Sequence, residues 1–367
     1  MIDIFSSQVR SVVDLLRFDA GLRRSVNRIL SKVQREIVVE IAAIDPAGPR
    51  NATVRTRRLR RLQQSVESTI NTQFPRARDL MIRELRGLSE FEAARYARDV
   101  NASIGANIFD VTLTEAQLEA VVNNSMIEGN TVKQWWDTKE RSFQDQFGAR
   151  MRQATQDFQV GVIKGDSIGA IVSRVRGKLG YMKNVRRETE ALVRTSTMTV
   201  ANKVRFDMIE DNADIVDAVQ VLATLDMRTT PICQSLDGLQ WSLPFYEPID
   251  HSQPLMGGPP FHWNCRSTLI PVTMSWEKLS GKGSKVSKTK MDKLDKLTRS
   301  ERASLGKPTD RKTYQTWLKV QPKAIQDEVL GTKRADLWRR KSLTTIDLVD
   351  QTGRPLTLKQ LWRRFGK

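Results

Sequence analysis

The chain has few of the residues that build disulfide scaffolds or membrane spans. Two cysteines and two histidines occur among its 367 residues, and so few cysteines argue against a disulfide-stapled fold. The longest apolar run, near residues 37–44, is much shorter than the roughly 20 residues that cross a bilayer. The N-terminal residues interrupt their apolar positions with Arg10, Asp14 and Arg17 at helical spacing, unlike a secretory signal. We therefore expect a soluble protein, made in the cytoplasm and without a membrane segment.

Acidic residues are scarce in the last quarter of the chain. Residues 278–367 contain 24 Lys and Arg against 9 Asp and Glu, a net charge of +15, whereas residues 1–277 contain 36 against 33. This asymmetry is typical of a protein that contacts a polyanion, with nucleic acid the first candidate and an anionic membrane the second. The length of the chain predicts two or three domains.

The first two hundred residues show the three- and four-residue apolar spacing of long helices. We predict helices over residues 7–44, 53–98 and 185–212, with a break near Pro75 in the second. A further helical region starts at Thr114, where a capping-box pattern occurs, and continues with interruptions to about residue 161. Its large apolar side chains, which we expect in the core or at a helix–helix contact, are Trp135, Trp136, Phe143, Phe147, Met151 and Phe158.

After residue 212 the apolar period becomes that of strands. Residues 215–223 and 268–273 predict two short strands. Between them lie both cysteines and both histidines, at Cys233, His251, His262 and Cys265. The stretch around them is rich in Pro and Gly, which predicts loops on a small sheet. Residues 280–290 have the composition of a linker, and two or three short helices are predicted beyond them.

The four clustered residues admit three interpretations. Two thiolates and two imidazoles are the ligand set of a closed structural zinc site, whose metal would stabilise a loop-rich segment with little core. A catalytic zinc would need a general acid or base beside the ligands, and the His-x-Glu and Pro-Cys-x-x-Cys patterns of deaminases are absent. The third interpretation is a Cys233–Cys265 pair, either reduced and packed or oxidised.

Short motifs in this part of the chain follow one another in a specific order. They are Asp226-x-Arg228-Thr229, Pro231-Ile232-Cys233, Leu236-Asp237-Gly238 and Pro259-Pro260-x-His262-x-Asn264-Cys265-Arg266. This order resembles the signature of the phage Mu F-like minor head proteins, also called head morphogenesis proteins. Leu192-Val193-Arg194-Thr195 before the signature and Tyr314-Gln315-x-Trp317-Leu318 after it also fit that family. The resemblance covers residues 185–365.

The chain departs from the family pattern at two positions. The family often has Cys-Pro-x-Cys where this chain has Thr230-Pro231-Ile232-Cys233, and Cys-Arg-Cys where it has Cys265-Arg266-Ser267. One cysteine is missing from each half, which implies that the missing residues are partners in space. A zinc site here would have to recruit His262 together with His251, or a carboxylate such as Asp226.

The other motif residues have structural roles in our interpretation. Gly238 supplies the backbone freedom that a turn requires. Asp226, Arg228 and Arg266 are predicted to pair and to hold the two halves of the loop together, with a phosphate contact as the alternative for either arginine. Asn264 belongs to the tight His-x-x-Cys turn.

Lysines and arginines form clusters in the basic part of the chain. We predict DNA contacts from Lys282, Lys285, Lys288, Lys290, Arg339, Arg340, Lys341, Arg363 and Arg364. Six to ten phosphate contacts would give non-specific, strongly salt-sensitive binding to double-stranded DNA. A smaller arginine cluster within residues 55–61 fits DNA or an acidic protein surface equally well.

These features predict a mostly α fold in four parts. They are an elongated helical arm (residues 1–184), a small α+β Cys/His domain (185–277), a basic linker (278–296) and a basic helical C-terminal extension (297–367). The family resemblance implies that the helical arm docks on the portal. The cofactor prediction is a structural Zn²⁺ ion, with paired cysteines as the alternative.

The family resemblance implies a minor head protein of a phage virion, located inside the capsid near the portal and present in the host cytoplasm during assembly. It implies portal protein and major capsid or scaffolding proteins as partners. The implied role is head morphogenesis, DNA packaging or genome delivery, without enzymatic activity. The alternative is a metal-dependent nuclease or hydrolase centred on the Cys/His cluster, although the histidines lack the clustered carboxylates of two-metal chemistry.

Overall fold

A computed structural model describes residues 4–42, 52–146, 149, 182–255, 257–308 and 312–366. The chain is mostly helical with small antiparallel sheets, as the sequence predicts. It forms two compact units, each assembled from separate chain segments. The first unit contains residues 1–15, 88–121 and 198–367, and the second contains residues 16–87 and 122–197. The four-part domain division stays a prediction.

The helices and strands are named here in chain order. The helices are α1 (Ile4–Ala42), α2 (Ala52–Ile104), α3 (Glu115–Asn124), α4 (residues 132–146), α5 (Met182–Asp211), α6 (Pro231–Leu236), α7 (Trp276–Ser280), α8 (Lys288–Leu294), α9 (Arg299–Ser304), α10 (Tyr314–Lys319), α11 (Lys323–Leu330), α12 (Thr332–Arg340) and α13 (Leu358–Phe365). The strands are β1 (Met126–Ile127), β2 (Asn130–Thr131), β3 (Val216–Leu222), β4 (Gln240–Ser242), β5 (Glu247–Ile249) and β6 (Thr268–Thr273).

Helix α2 continues through Pro75, so the predicted break at this residue is wrong. A proline inside a helix removes one backbone hydrogen bond and crowds the preceding turn, at a cost of about 3 kcal/mol. The turns on both sides of Pro75 are packed into the core by Ile70, Phe74 and Ala77, each at most 1% exposed. Burial of Ile70 and Phe74 offsets the local cost, because each large apolar side chain removed from water contributes about 1.5–3 kcal/mol.

An aromatic cluster forms the core of the second unit. The ring of Phe74 lies 5.0 Å from that of Phe143 and 6.3 Å from that of Trp136, and all three are buried. Trp135 is partly buried and donates its indole Nε1 to the carbonyl of Ile127 in the β1–β2 hairpin, at 2.6 Å. The prediction that these aromatics belong to the core is confirmed for Trp136 and Phe143. Phe147, Met151 and Phe158 lie outside the described residues.

A buried ionic network connects α1, α2, α5 and β6 in the first unit. Arg205 and Glu92 are both fully buried, and the guanidinium Nε donates to the carboxylate at 2.6 Å. Arg205 also donates to the hydroxyls of Ser11 and Thr268, while Arg95 binds the second oxygen of Glu92 at 2.5 Å. Buried ions are tolerated when they are paired and hydrogen-bonded, and these residues meet that condition.

The four-stranded sheet has the order β5-β4-β3-β6, and all its neighbours are antiparallel. Strand β3 is buried along most of its length, and five of its seven residues are apolar without strict alternation, as expected for a strand that is covered on both faces. The strands predicted at 215–223 and 268–273 are β3 and β6. The chain between them supplies α6, β4 and β5, so the Cys/His segment does lie on a small sheet.

The short helices after residue 312 enclose a core of their own. Its buried members are Tyr314, Leu318, Leu330, Ala335, Leu337, Trp338, Leu343, Leu348 and Leu361. Upstream, the basic segment is anchored at both ends by the buried side chains of Leu279 and Leu294. In the described part of the chain, no helix is long and apolar enough to span a membrane.

Candidate metal centre

Three of the four clustered residues come together from two loops. Cys233 lies on α6, while His262 and Cys265 belong to the turn that leads into β6. This turn closes with a hydrogen bond from the Cys265 N–H to the His262 carbonyl at 3.1 Å. Asn264 adopts a left-handed conformation within it, with φ of 62°, and asparagine tolerates this region better than most residues with a side chain. The turn therefore places Cys265 on the same side of the chain as His262.

The ligating atoms of these residues converge on one point. The sulfur of Cys233 lies 3.7 Å from the sulfur of Cys265 and 3.1 Å from Nε2 of His262. All three candidate ligand atoms lie within 4.8 Å of one another. Both cysteines are free thiols and are almost fully buried, at 2% and 0% exposure. The expected convergence is therefore present, and the sulfurs are not joined by a disulfide.

The imidazole of His262 is held in one orientation. Its Nδ1 lies 2.8 Å from the carbonyl oxygen of Trp263, and because a carbonyl only accepts, Nδ1 carries the proton. Nε2 then directs its lone pair at Cys233 and at the hydroxyl of Thr230, which lies 2.8 Å away. Metal-binding histidines commonly have this arrangement, in which the second ring nitrogen donates to a backbone carbonyl and fixes the tautomer.

The three groups shift one another's ionisation. The hydrogen bond from Cys233 and the neighbouring His262 hold the pKa of Cys265 well below its usual range, although burial opposes this shift. The same hydrogen bond, together with burial, raises the pKa of Cys233. Burial would lower the pKa of His262, but the hydrogen bond and charge of Cys265 raise it.

The donor set has the ligand types of a zinc-class ion and supplies three of the four ligands of a tetrahedral site. Zinc–sulfur distances of about 2.3 Å and zinc–nitrogen distances of about 2.0–2.1 Å give tetrahedral edges of roughly 3.8 Å between two sulfurs and 3.6 Å between sulfur and nitrogen. The observed sulfur–sulfur distance of 3.7 Å matches the first edge, and the sulfur–nitrogen distance of 3.1 Å is shorter than the second. When bound, such an ion would be held by Cys233, His262 and Cys265 and would stabilise the two loops.

His251 does not join this group, so its inclusion among the predicted ligands is corrected. Its Nε2 lies 2.8 Å from the carbonyl of Gln240, and its Nδ1 accepts the backbone N–H of Gln253 at 3.2 Å. The ring also packs edge-on against Trp241, with centroids 4.9 Å apart. Both nitrogens are engaged in holding the loop after β5 against β4.

The two positions at which the chain departs from the family pattern both lie at the cluster. The Thr230 hydroxyl contacts His262, as described above, and the Ser267 hydroxyl forms a hydrogen bond with Cys233. Hydroxyls therefore stand beside the thiols where the family often has further cysteines. No carboxylate belongs to this cluster within the part of the chain that the structure describes.

The motif residues around the cluster hold the loops in shape. Asp226 binds both terminal nitrogens of Arg266, at 2.6 and 2.7 Å, which confirms their predicted pairing. Arg228 contributes its backbone N–H to Asp226 at 2.9 Å, and its side chain is exposed. Gly238 has a φ of 86°. This value lies in the left-handed region, for which the predicted turn needs the backbone freedom of glycine. Its missing side chain also leaves room for Thr313, whose Cγ2 lies 2.8 Å from the position a Cβ would take.

Sequence reasoning missed the residues that join this segment to the chain beyond residue 312. Tyr314 is fully buried; its N–H donates to Asp237 at 2.6 Å and its hydroxyl donates to the carbonyl of Asp226 at 2.9 Å. Gln234 and Thr345 form further contacts here. The signal was present, because Tyr314 and Asp237 lie in two separate motifs of the resemblance, but the sequence does not show that they touch.

The predicted DNA-binding residues separate into two groups. Lys290 is largely buried and binds Asp214 at 2.9 Å and Asp110 at 3.3 Å, so its assignment to a DNA surface is corrected. Arg339 is partly buried and binds Asp327 at 2.8 Å. The exposed members are Lys282, Lys285, Lys288, Arg340, Lys341, Arg363 and Arg364.

The fold and site define a class: a mostly helical protein with a small sheet that carries a Cys₂His group, in which both sulfurs are buried and the imidazole is partly exposed. Residues 116–270 match the family described as Phage Mu protein F like protein. This match bears out the resemblance over that range, which is somewhat less than half of the chain. The match begins well before residue 185 and ends inside β6, so the basic C-terminal part lies outside it. No curated protein and no solved structure matches the chain.

Proposed function

We propose that this protein is a minor head protein of a bacteriophage, located inside the capsid near the portal and assembled in the host cytoplasm. The family match supports the proposal, because the matched family is one of phage head-related proteins. The finer role is attachment to the portal and to major capsid or scaffolding proteins, in head morphogenesis, DNA packaging or genome delivery. The net charge of +15 over residues 278–367 supports a position next to packaged DNA.

The test of this role is a phage that lacks the gene. Defective or poorly infectious particles are expected, and the protein should co-purify with portal protein from wild-type particles. A reconstruction of the virion should show the chain beside the portal. Normal, fully infectious particles from the deletion phage would contradict the proposal.

The DNA-binding part of the proposal rests on the exposed basic residues. Arg340 and Lys341 lie at the end of α12, and Arg363 and Arg364 lie on α13, all with exposed side chains. Phosphate contacts of this kind are electrostatic and carry no sequence information. The protein should therefore bind duplex DNA of any sequence, and binding should weaken steeply with salt.

The proposal for the Cys/His cluster is a structural zinc ion bound by Cys233, His262 and Cys265. The buried sulfurs and the oriented imidazole support it. Purified protein should contain about one zinc per chain, as a structural site requires, and His262→Ala should lose it. His251→Gln is the matched control, because it removes the histidine outside the cluster. Protein that takes up no metal while both thiols stay reduced would leave the packed pair as the correct interpretation.

The proposal includes no enzymatic activity. The two sulfurs are buried, and the clustered ligands include no carboxylate within the described residues, so a general base for hydrolysis is missing from the group. Purified protein should not cleave DNA, peptides or nucleotides with any divalent metal. Metal-dependent turnover that His262→Ala abolishes would establish the nuclease or hydrolase alternative instead.

A further inference from the structure

We propose that the Cys/His cluster and the docking of residues 312–366, the C-terminal region, stabilise each other through helix α6. The state of the two thiols would then set how firmly this basic region is held. The inference goes beyond the proposed head function. It concerns the same cluster as the zinc proposal but requires only that Cys233, His262 and Cys265 are held together.

Helix α6 depends on its surroundings. It has six residues, and an isolated helix of this length is unstable because nucleation is costly. Its N-cap residue, Thr230, makes no side-chain hydrogen bond to the helix backbone, since the hydroxyl contacts Nε2 of His262 instead. Cys233 then fixes the first turn at the cluster. The cluster thus replaces the capping interaction that usually stabilises a helix start.

The C-terminal region contacts the same helix at three points. Gly353 lies so close to Ile232 that a Cβ at this glycine would fall 2.4 Å from the Ile232 Cγ1. The Thr345 hydroxyl donates to the carbonyl of Gln234 at 3.0 Å, and the Gln234 amide donates to the Tyr314 hydroxyl at 3.3 Å. Ile232 also packs against the core that contains both cysteines. One short helix therefore contacts the thiols and the C-terminal region together.

A second connection runs through Asp226. Its carbonyl accepts the Tyr314 hydroxyl at 2.9 Å, and its carboxylate binds Arg266. Arg266 follows Cys265 directly in the sequence. Loosening of the turn that carries Cys265 would thus reach Tyr314 by a path that does not include α6.

These contacts imply reciprocal coupling. Ordering α6 and its neighbouring loops costs conformational entropy, and whichever side forms first removes part of that cost for the other. Such linkage is reciprocal by thermodynamic necessity, with coupling factors of roughly 5–150-fold between sites. Weakening the C-terminal contacts should therefore expose the thiols, and weakening the cluster should loosen the C-terminal region.

The first arm of the test measures thiol reactivity in the folded, full-length protein. Gly353→Ala should increase the rate at which Cys233 and Cys265 react with an aromatic disulfide reagent by about tenfold, within the usual range of coupling. The matched control is Gly331→Ala. Gly331 also has positive φ and lies in the same region, but nothing lies within 4 Å of its would-be Cβ. Equal acceleration by both variants would overturn the proposal.

The second arm of the test measures whether weakening the Cys/His cluster loosens the C-terminal region. Cys233→Ser should increase backbone hydrogen exchange over residues 314–350, whereas His251→Gln should not. If Gly353→Ala fails to fold, Thr345→Val replaces it, since it removes the hydrogen bond to Gln234 without adding bulk. Unchanged hydrogen exchange over residues 314–350 in Cys233→Ser would contradict the proposed coupling. Metal content, measured on the same samples, reports separately on the zinc proposal.

Discussion

Asp226 and Arg266 form a two-pronged ion pair between the two halves of the Cys/His segment, with nitrogen–oxygen distances of 2.6 and 2.7 Å. Burial alone would raise the pKa of Asp226, but the hydrogen bonds and charge of Arg266 outweigh it and hold the pKa below its usual range. A carboxylate whose pKa is lower in the folded state than in the unfolded state favours folding when it is ionised.

The dependence of the free energy of unfolding on pH should reveal the contribution of this ion pair. Its contribution is present above the unfolded-state pKa of about 4 and disappears as the pH falls through the lower folded-state value. Asp226→Asn should reduce the free energy of unfolding by roughly 1 kcal/mol at neutral pH, because the pair is only partly buried. Urea titrations from acidic to neutral pH should show a shallower loss in the variant. Asp292→Asn, which removes an exposed carboxylate on α8, should leave the wild-type profile unchanged.

Lys285 and Lys290 should behave differently in DNA binding. Exposed phosphate contacts contribute a slope of about −0.9 each to the logarithm of affinity against the logarithm of salt concentration. Lys285→Gln should therefore reduce the slope by up to that amount. Lys290→Gln should leave the slope unchanged and lower stability, because Asp110 and Asp214 lose their shared partner. Fluorescence anisotropy with one duplex at several salt concentrations measures both, and an equal slope change would contradict the assignment.

Asn264 should tolerate glycine but not a branched residue. Its φ of 62° is left-handed, which a β-branched side chain adopts at a cost of about 1–3 kcal/mol. Asn264→Val should lower the melting temperature and weaken any metal binding, since it distorts the turn between His262 and Cys265. Asn264→Gly should stay close to wild type. Equal losses in both variants would show that the asparagine side chain, rather than its backbone, is what matters.

Removing one partner of the buried Glu92–Arg205 pair should destabilise the protein more than replacing both partners by apolar residues. Glu92→Leu leaves a fully buried guanidinium without its main partner, which typically costs about 3–5 kcal/mol. Adding Arg205→Met to Glu92→Leu should recover part of this loss, because two apolar side chains need no pairing. Chemical denaturation of the three proteins measures the coupling. A double variant less stable than Glu92→Leu would contradict this account.

The sequence predicts the elements of this fold better than their contacts. Apolar spacing locates α5, β3 and β6 because these elements are buried along regular faces. The break predicted at Pro75 is wrong because tertiary packing, which local pattern does not include, outweighs the local penalty. Composition identified the metal-type cluster but did not separate its two histidines. The motif did separate them, because His262 belongs to the His-x-x-Cys pattern and His251 lies outside it.

A count of charged residues likewise does not show which partner each side chain has in the folded protein. Lys290 and Lys285 are equivalent in a count of basic residues, yet folding brings acidic side chains only to the first of them. Tyr314 lies 88 residues from Asp226, a pairing that no local pattern indicates. The sequence therefore predicts which types of side chain are available, but it does not predict which distant residues pair with one another.

The contact between Ser11 and Arg205 spans 194 residues of sequence. A nascent chain cannot form it until α5 has left the ribosome, and the contact from Arg205 to Thr268 waits longer still. Ser11 must therefore wait for Arg205 until more than half of the chain has been made, whereas Arg95 can reach the same hydroxyl earlier. A fragment that begins at residue 185 would lack Ser11, Glu92 and Arg95 and would leave Arg205 without most of its partners. The motif region should consequently fail as an isolated expression product, although it looks like a separate module in the sequence.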